Sequence, residues 1–338
     1  VRIFETDDGV NEMWKRKLQP SQNNRKSNGN ILASGSPIIY FTAKLLDKRT
    51  RDGMSLFYAW YCRCEEISNE KKSKDGNDEI GVAGRFGNFY STTYLAILEK
   101  KPIEPVFKGV ERAVNYHGWP ISVVQDVLSG FGMDVVDHSY RTISELMAYC
   151  YGVAGSVGAA MAEIFGVDRN DPWMMDRACD LGIAFQLTNI AQYVMDDAKD
   201  GRVYLPAELF LSGRASPDFI LDPANRSAVI AAKNVLLDLA SEYYASADLA
   251  IGYLPWRVRL VVATAAGAYR VIANRIRWSD DPWPVKRPTP LWTKFLNTIS
   301  FVRELVLNSF EPFSINQDRI DLWTRSAYLR DRNSGQSA

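Results

Sequence analysis

Gln186, Asn189, Tyr193 and Asp197 recur at spacings of 3, 4 and 4, so on a helix they share one face. Two amides, a phenol and a carboxylate would then look out from an otherwise apolar helix. Asp196 and Asp200 thicken its acidic end, Gly201 is a natural stop, and Arg202-Val203-Tyr204-Leu205-Pro206 follows. The carboxylates could hold a divalent cation, and Arg202 could take an anion. The plainer alternative is a solvated acidic helix end, although acids are poorly placed against the dipole at a helix C-terminus. A second end of similar build lies upstream. There a helix over Met54–Glu66 carries Tyr58, Cys62, Glu65 and Glu66, with Asn69 and Glu70 just beyond.

Two such ends facing one cavity could hold Mg²⁺, which prefers few protein oxygens, several waters and substrate phosphates. Arg202 and Arg270 would grip a diphosphate through charged hydrogen bonds. Apolar, aromatic walls would tolerate a carbocation and keep water from it. The combination suits ionisation of an allylic diphosphate.

Composition narrows the alternatives. The chain has 338 residues, a net charge of +0 and 46% hydrophobic residues, enough for one large core or two modest ones. Zero net charge argues against broad nucleic-acid binding. Cys62-x-Cys64 is too tight for a metal knuckle, and Cys150 and Cys179 do not complete one. Buried free thiols in a reducing compartment are expected. Two histidines, His117 and His138, give weak support to zinc or to a His-based triad. No long apolar run suggests a membrane span and no leader pattern is visible, so a cytoplasmic location is expected. Trp256, Trp278, Trp283 and Trp292, near Arg275, Arg277, Lys286 and Arg287, could add peripheral contact with a membrane. Scattered surface and core aromatics explain them equally well.

The positioning elements read as helices almost throughout, with no Gly-rich phosphate loop after a strand. Residues 1–30 read as a loose polar arm, 31–310 as one all-α domain around a central apolar cavity, and 311–338 as an extension. Ser36-Pro37 should start a short helix over Ile38–Leu46, which Lys48–Gly53 should break. Gly130 and Gly132 should kink the helix before Asp134. Ser144 should cap Glu145–Phe165, whose Gly155, Gly158 and neighbouring alanines allow close helix packing or a corridor for a long ligand. Arg226–Ile251, Trp256–Ile276 and Leu291–Leu307 complete the pattern.

Several blocks together resemble the squalene/phytoene synthase family, nearest to bacterial phytoene synthases. Leu56-Phe57-Tyr58-Ala59-Trp60 is similar to the start of its first aspartate-rich region. Tyr149-Cys150-Tyr151-Gly152-Val153-Ala154-Gly155 is similar to its central signature. Asp180 through Asn189, with Asp196-Asp197 and Gly201–Pro206, is similar to its second. Leu254-Pro255 and Ala268-Tyr269-Arg270 fit its C-terminal region. The resemblance implies an all-α isoprenoid synthase fold. It also implies head-to-head condensation of two geranylgeranyl diphosphates through a cyclopropylcarbinyl diphosphate, without NADPH. It implies Mg²⁺, with Mn²⁺ as a substitute, on Glu65, Glu66, Asp196 and Asp197. Tyr58, Tyr149, Asp134, Gln186, Asn189 and Tyr204 would be catalytic, and Ser36, Arg202, Arg270, Phe185 and Gly155 would bind substrate. The chain would act as a monomer or weak dimer.

The departures fall on the chemistry. Where the family reads C-R-x-x-D-D-x-x-D, this chain places Cys62 on the arginine, Glu65 and Glu66 on the leading aspartates, and Asn69 on the last. Where it reads N-I-x-R-D-x-x-x-D, Gln192 and Tyr193 replace Arg-Asp. Ser36-Pro37 stands in for a Ser-Lys contact to diphosphate. A phenol is no equivalent of a carboxylate ligand. An active enzyme with fewer or displaced metals therefore stands beside a family-shaped binder of isoprenoid lipid, or an assembly or structural protein.

Overall fold

The computed structural model describes residues 44–69, 80–100, 105–136 and 139–277. Among these the chain is helical and contains no strand. No described helix is long and apolar enough to cross a membrane. The chain divides into two compact units, residues 1–118 and 119–338.

In the first unit, helix α1 (Lys48–Ser68) packs on α2 (Gly81–Glu99) and α3 (Pro105–His117). The expected break at Lys48–Gly53 is instead the first turn of α1. Asp47 explains this: one carboxylate oxygen accepts from the Thr50 amide at 3.0 Å and the other from its hydroxyl at 2.6 Å. Gly53 is carried inside the helix, buried. Phe57 and Trp60 are fully buried, and the Trp60 indole donates to Thr93 Oγ1 at 3.2 Å, tying α1 to α2. Of the helix expected over Ile38–Leu46, Lys44 to Leu46 form a turn, and the rest lies outside the described residues. Ser36, Glu70, residues 1–30, Trp278, Trp283, Trp292 and the helix expected over Leu291–Leu307 also lie outside them.

The second unit is built around α7 (Pro172–Lys199). Asp171 accepts from the Met174 amide at 3.0 Å and Pro172 occupies the first turn, so the start is capped by side chain and ring together. The stop is Gly201, whose φ of 88 suits glycine. Every residue from Gly182 to Ala191 is buried, so this stretch is enclosed on all sides and Gln186, Thr188 and Asn189 lie inside the unit.

Around it pack α5 (Ile143–Cys150), a π-turn (Tyr151–Gly155), α6 (Ser156–Ile164), the short α8 (Pro217–Leu221), α9 (Arg226–Ile251) and α10 (Trp256–Arg277), while α4 (Ile121–Val135) packs on α5, the π-turn and α6. Helix α4 runs unbroken through Gly130 and Gly132. Gly130 serves close approach: a Cβ there would stand 2.7 Å from the Gly152 carbonyl carbon. The cap of α5 is Thr142, not Ser144. Its hydroxyl accepts from the Glu145 amide at 3.2 Å, and Glu145 accepts from the Arg141 amide at 2.7 Å. The single helix expected over Glu145–Phe165 carries the π-turn in its middle, a feature that residue spacing does not reveal. Ser156 bonds the Gly152 carbonyl at 2.6 Å across that turn.

Candidate active site

Asp134, near the end of α4, is buried at 7% exposure. One of its carboxylate oxygens accepts from the Tyr149 hydroxyl at 3.0 Å and the other from the Tyr204 hydroxyl at 2.7 Å. The three residues come from α4, α5 and the loop after α7. Their rings form a compact group with Tyr140. Tyr149 and Tyr204 stack with centroids 5.3 Å apart, and Tyr140 lies 5.4 Å from Tyr149 and 6.0 Å from Tyr204. Burial pushes the Tyr149 and Tyr204 phenols well above their ordinary range, and the charge of Asp134 adds to this. Tyr140 is raised for the same two reasons. The phenols therefore remain protonated donors, and the aromatic faces remain neutral.

Arg202 lies at the edge of this group. Burial works against its charge, but Tyr204, Asp134 and Tyr149 outweigh it and hold the guanidinium above its ordinary pKa. Its backbone amide donates to the Asp197 carbonyl at 2.9 Å, so the turn at Gly201 fixes Arg202 against the end of α7. Asp197 and Tyr204 line a hollow of about 10 Å³ with Ile190, Val194, Val203, Leu205 and Ile220.

The adjacent acids of α7 part company. Asp197 is buried at 8%, while the Asp196 side chain is 49% exposed and pairs with Lys199 at 3.4 Å. Helix α1, in the other unit, repeats the division: Glu65 is 3% exposed, while the Glu66 side chain is 48% exposed and pairs with Arg63 at 3.3 Å. Among the described residues no cluster of three His, Cys, Asp or Glu groups forms a protein-built metal cage. Magnesium keeps waters and takes further oxygens from substrate phosphates, so a single buried carboxylate such as Asp197 has the donor chemistry it needs.

Gln186 and Asn189 are buried on α7, and the Asn189 amide Nδ2 has no hydrogen-bond partner among the described residues. A buried unpaired donor is costly unless a ligand supplies an acceptor. Phe185 stacks near Tyr269, with centroids 4.3 Å apart, and near Tyr244 at 6.1 Å. Arg270 pairs with Asp248 at 2.6 Å and sits 4.9 Å over the Tyr244 ring. Gly155 is buried, and a Cβ there would meet Tyr151 at 3.1 Å and Ile183 at 3.2 Å. Tyr58 is buried in the first unit beside Tyr61, their centroids 6.5 Å apart.

Three members of the second unit's interior escaped the sequence reading. Tyr140 sat in what looked like a connector, its aromatic ring the only signal. Asp126, which accepts from the Tyr151 hydroxyl at 2.6 Å, had no local pattern. Asp248 fell within a long amphipathic helix among other exposed-looking acids. The four cysteines are free and buried, as expected.

Comparison with known proteins agrees with this geometry. The squalene/phytoene synthase family model matches residues 32–295. The chain is 36% identical over 264 residues to a 15-cis-phytoene synthase of Enterobacter agglomerans, covering 75% of this chain and 87% of that one. It is 34% identical over 249 residues to a phytoene synthase of Pseudescherichia vulneris, covering 73% and 80%. Among solved structures, a dehydrosqualene synthase in complex with ligand superposes with a TM-score of 0.65 at 21% identity, covering 89% of this chain and 100% of that one. A squalene synthase of Alicyclobacillus acidocaldarius gives 0.60 at 17% identity, covering 80% and 93%. These structures share the all-α isoprenoid synthase fold.

Proposed function

The chain belongs to the squalene/phytoene synthase family, and we propose that it joins two geranylgeranyl diphosphates into phytoene through a cyclopropylcarbinyl diphosphate. As a member it is a prenyltransferase of the divalent-metal-dependent type, acting on prenyl diphosphates head to head. The choice of a C20 substrate and a phytoene product rests on its relatives' names.

The observation that carries the reading is the Tyr149–Asp134–Tyr204 array with Arg202 at its edge. In it, protonated phenols and stacked ring faces stand beside a fixed cation. Arg202 binds diphosphate oxygens by charged hydrogen bonds. The ring faces of Tyr140, Tyr149 and Tyr204 stabilise positive charge as the allylic C1–O bond lengthens. Asp134 engages both phenol protons, and the buried surroundings exclude water that would quench a cation. Asn189 supplies its unpaired donor to a phosphate oxygen, and Gln186 lies one turn away on the same face. Asp197, at the end of α7, would hold Mg²⁺ or Mn²⁺, and Glu65 is the carboxylate of the first unit with the same chemistry. Such an ion, when bound, offsets negative charge on the departing diphosphate. Trp256, 64% exposed with Arg257 over its ring, suits contact with a membrane that delivers the lipid chain.

A second reading has its own support. Glu66 and Asp196 face solvent, and Tyr193 stands where relatives would offer a carboxylate, so the chain could bind an isoprenoid lipid, or serve assembly or structure, without turnover. Purified protein incubated with geranylgeranyl diphosphate and Mg²⁺ separates the two. Release of diphosphate with a C40 hydrocarbon is the expected result. A folded protein that binds the prenyl chain and releases nothing overturns the first reading in favour of the second.

A further inference from the structure

Arg270 is held from two sides. Asp248, on α9, pairs with its Nη2 at 2.6 Å, and the Tyr244 ring, one turn earlier on α9, lies under the guanidinium at 4.9 Å. Tyr244 is itself fixed, its hydroxyl 3.0 Å from Thr188 Oγ1 on α7. The arginine of α10 is thus oriented by two residues of α9, and through Tyr244 by α7. Phe185 and Tyr269 stack beside the same group. The pair is not sealed in the core: the Arg270 and Asp248 side chains are 21% and 32% exposed.

The carboxylate of Asp248 is unevenly used. Oδ2 takes the guanidinium, while Oδ1 is buried and has no hydrogen-bond partner among the described residues. Burial raises the Asp248 pKa, and the nearby Arg270 charge partly reverses this. A carboxylate built only to stabilise the fold would be expected to satisfy both oxygens. Here one oxygen is spent on Arg270, and the other gains nothing from the helices around it.

We propose that Asp248 is a positioning residue that orients Arg270 and moderates its pull on a diphosphate. The inference rests on the reading of Arg270 as a diphosphate contact. A guanidinium facing an anion alone would grip it hard in a partly desolvated place and release it slowly. A fixed carboxylate on its other edge lowers the net charge that the anion meets, and the Tyr244 face keeps the remaining donors in one plane. Asp248 thereby favours release of diphosphate after ionisation while leaving Arg270 aimed at it.

The test uses inorganic diphosphate as probe, with the whole chain, by calorimetric titration in the presence of Mg²⁺, beside steady-state kinetics. Asp248→Asn keeps an oxygen acceptor for Arg270 and removes the charge. It should tighten diphosphate binding roughly tenfold and lower kcat more than it changes KM. Arg270→Ala should weaken diphosphate binding roughly tenfold or more. Asp248→Glu should restore the wild-type affinity. Thermal melts of each variant establish that it is folded. If Arg270→Ala binds diphosphate like the wild type, the reading of Arg270 fails and the inference with it. If Arg270→Ala weakens binding while folded Asp248→Asn leaves it unchanged or weaker, Arg270 stands as a diphosphate contact and the role of Asp248 is overturned.

Discussion

Asp134 and Tyr204, 70 residues apart in the chain, are joined by a buried hydrogen bond of 2.7 Å. Tyr149 takes the other carboxylate oxygen, so one acid satisfies two phenols from separate elements. Asp134→Asn can accept on only one side-chain oxygen, which leaves the O–H of one buried phenol without its acceptor. The expected loss is about 1–3 kcal/mol in urea unfolding, with a fall in diphosphate release. A cycle combining Asp134→Asn with Tyr204→Phe should show coupling of roughly 0.5–3 kcal/mol. Strict additivity would mean that the bond contributes nothing in solution.

The same burial sets an alkaline limit. Burial raises the Tyr149 and Tyr204 pKa values well above the ordinary phenol value near 10, whereas an unfolded chain leaves its phenols near that value. Above pH 10 the unfolded state therefore binds fewer protons than the folded one, so their stabilising contribution is present below this point and is lost as pH rises. Each phenol adds a slope of about 1.4 kcal/mol per pH unit above that point. Urea melts between pH 9 and 11 should show the decline, and the double variant Tyr149→Phe/Tyr204→Phe should flatten it, about one unit of slope per phenol removed. An unchanged slope in the double variant would place the alkaline transition elsewhere.

What could be read in the sequence follows from the range of the interactions. The stop of α7 at Gly201 is a local signal, and it holds. The shared face of Gln186, Asn189 and Asp197 is also local, because helical periodicity alone places it. The burial that separates Asp197 from Asp196 depends on packing around α7, which no periodicity encodes. Lys48–Gly53 looked like a breaker because it is charged and ends in glycine, yet one carboxylate at Asp47 outweighs that composition. Tyr140, Asp126 and Asp248 act through partners far away in the chain or on another helix. Their partners are visible only once the helices are in place.

Small residues of α6 and α7 bring helices together. A Cβ on Gly182 would stand 2.1 Å from the Ala154 carbonyl oxygen, and one on Gly158 would stand 2.1 Å from that of Ala178. Both obstacles are backbone, so the helices themselves would have to separate. Gly182→Ala should cost about 3 kcal/mol or more, although alanine is the better helix former. Thermal unfolding measures this. A neutral or stabilising result would show that the contact between α7 and the π-turn is looser than described.

Burial divides each acidic pair into a carboxylate that faces inward and one that faces solvent, and the metal requirement should follow that division. Asp196 is half-exposed and paired with Lys199, an arrangement worth little to stability. Asp197 is buried beside Tyr204 in the hollow at the end of α7. Asp196→Asn should change diphosphate release by less than about twofold and stability by less than about 0.5 kcal/mol. Asp197→Asn should lower the rate roughly 100-fold and raise the Mg²⁺ concentration needed for half-maximal activity. Helix α1 offers an independent copy of the same contrast, with Glu66→Gln mild and Glu65→Gln severe. Titrating Mg²⁺ against diphosphate release for the four variants decides it. Equal losses within either pair would mean that the exposed acid turns inward when substrate binds, and the assignment of a single ligand to each helix end would fall.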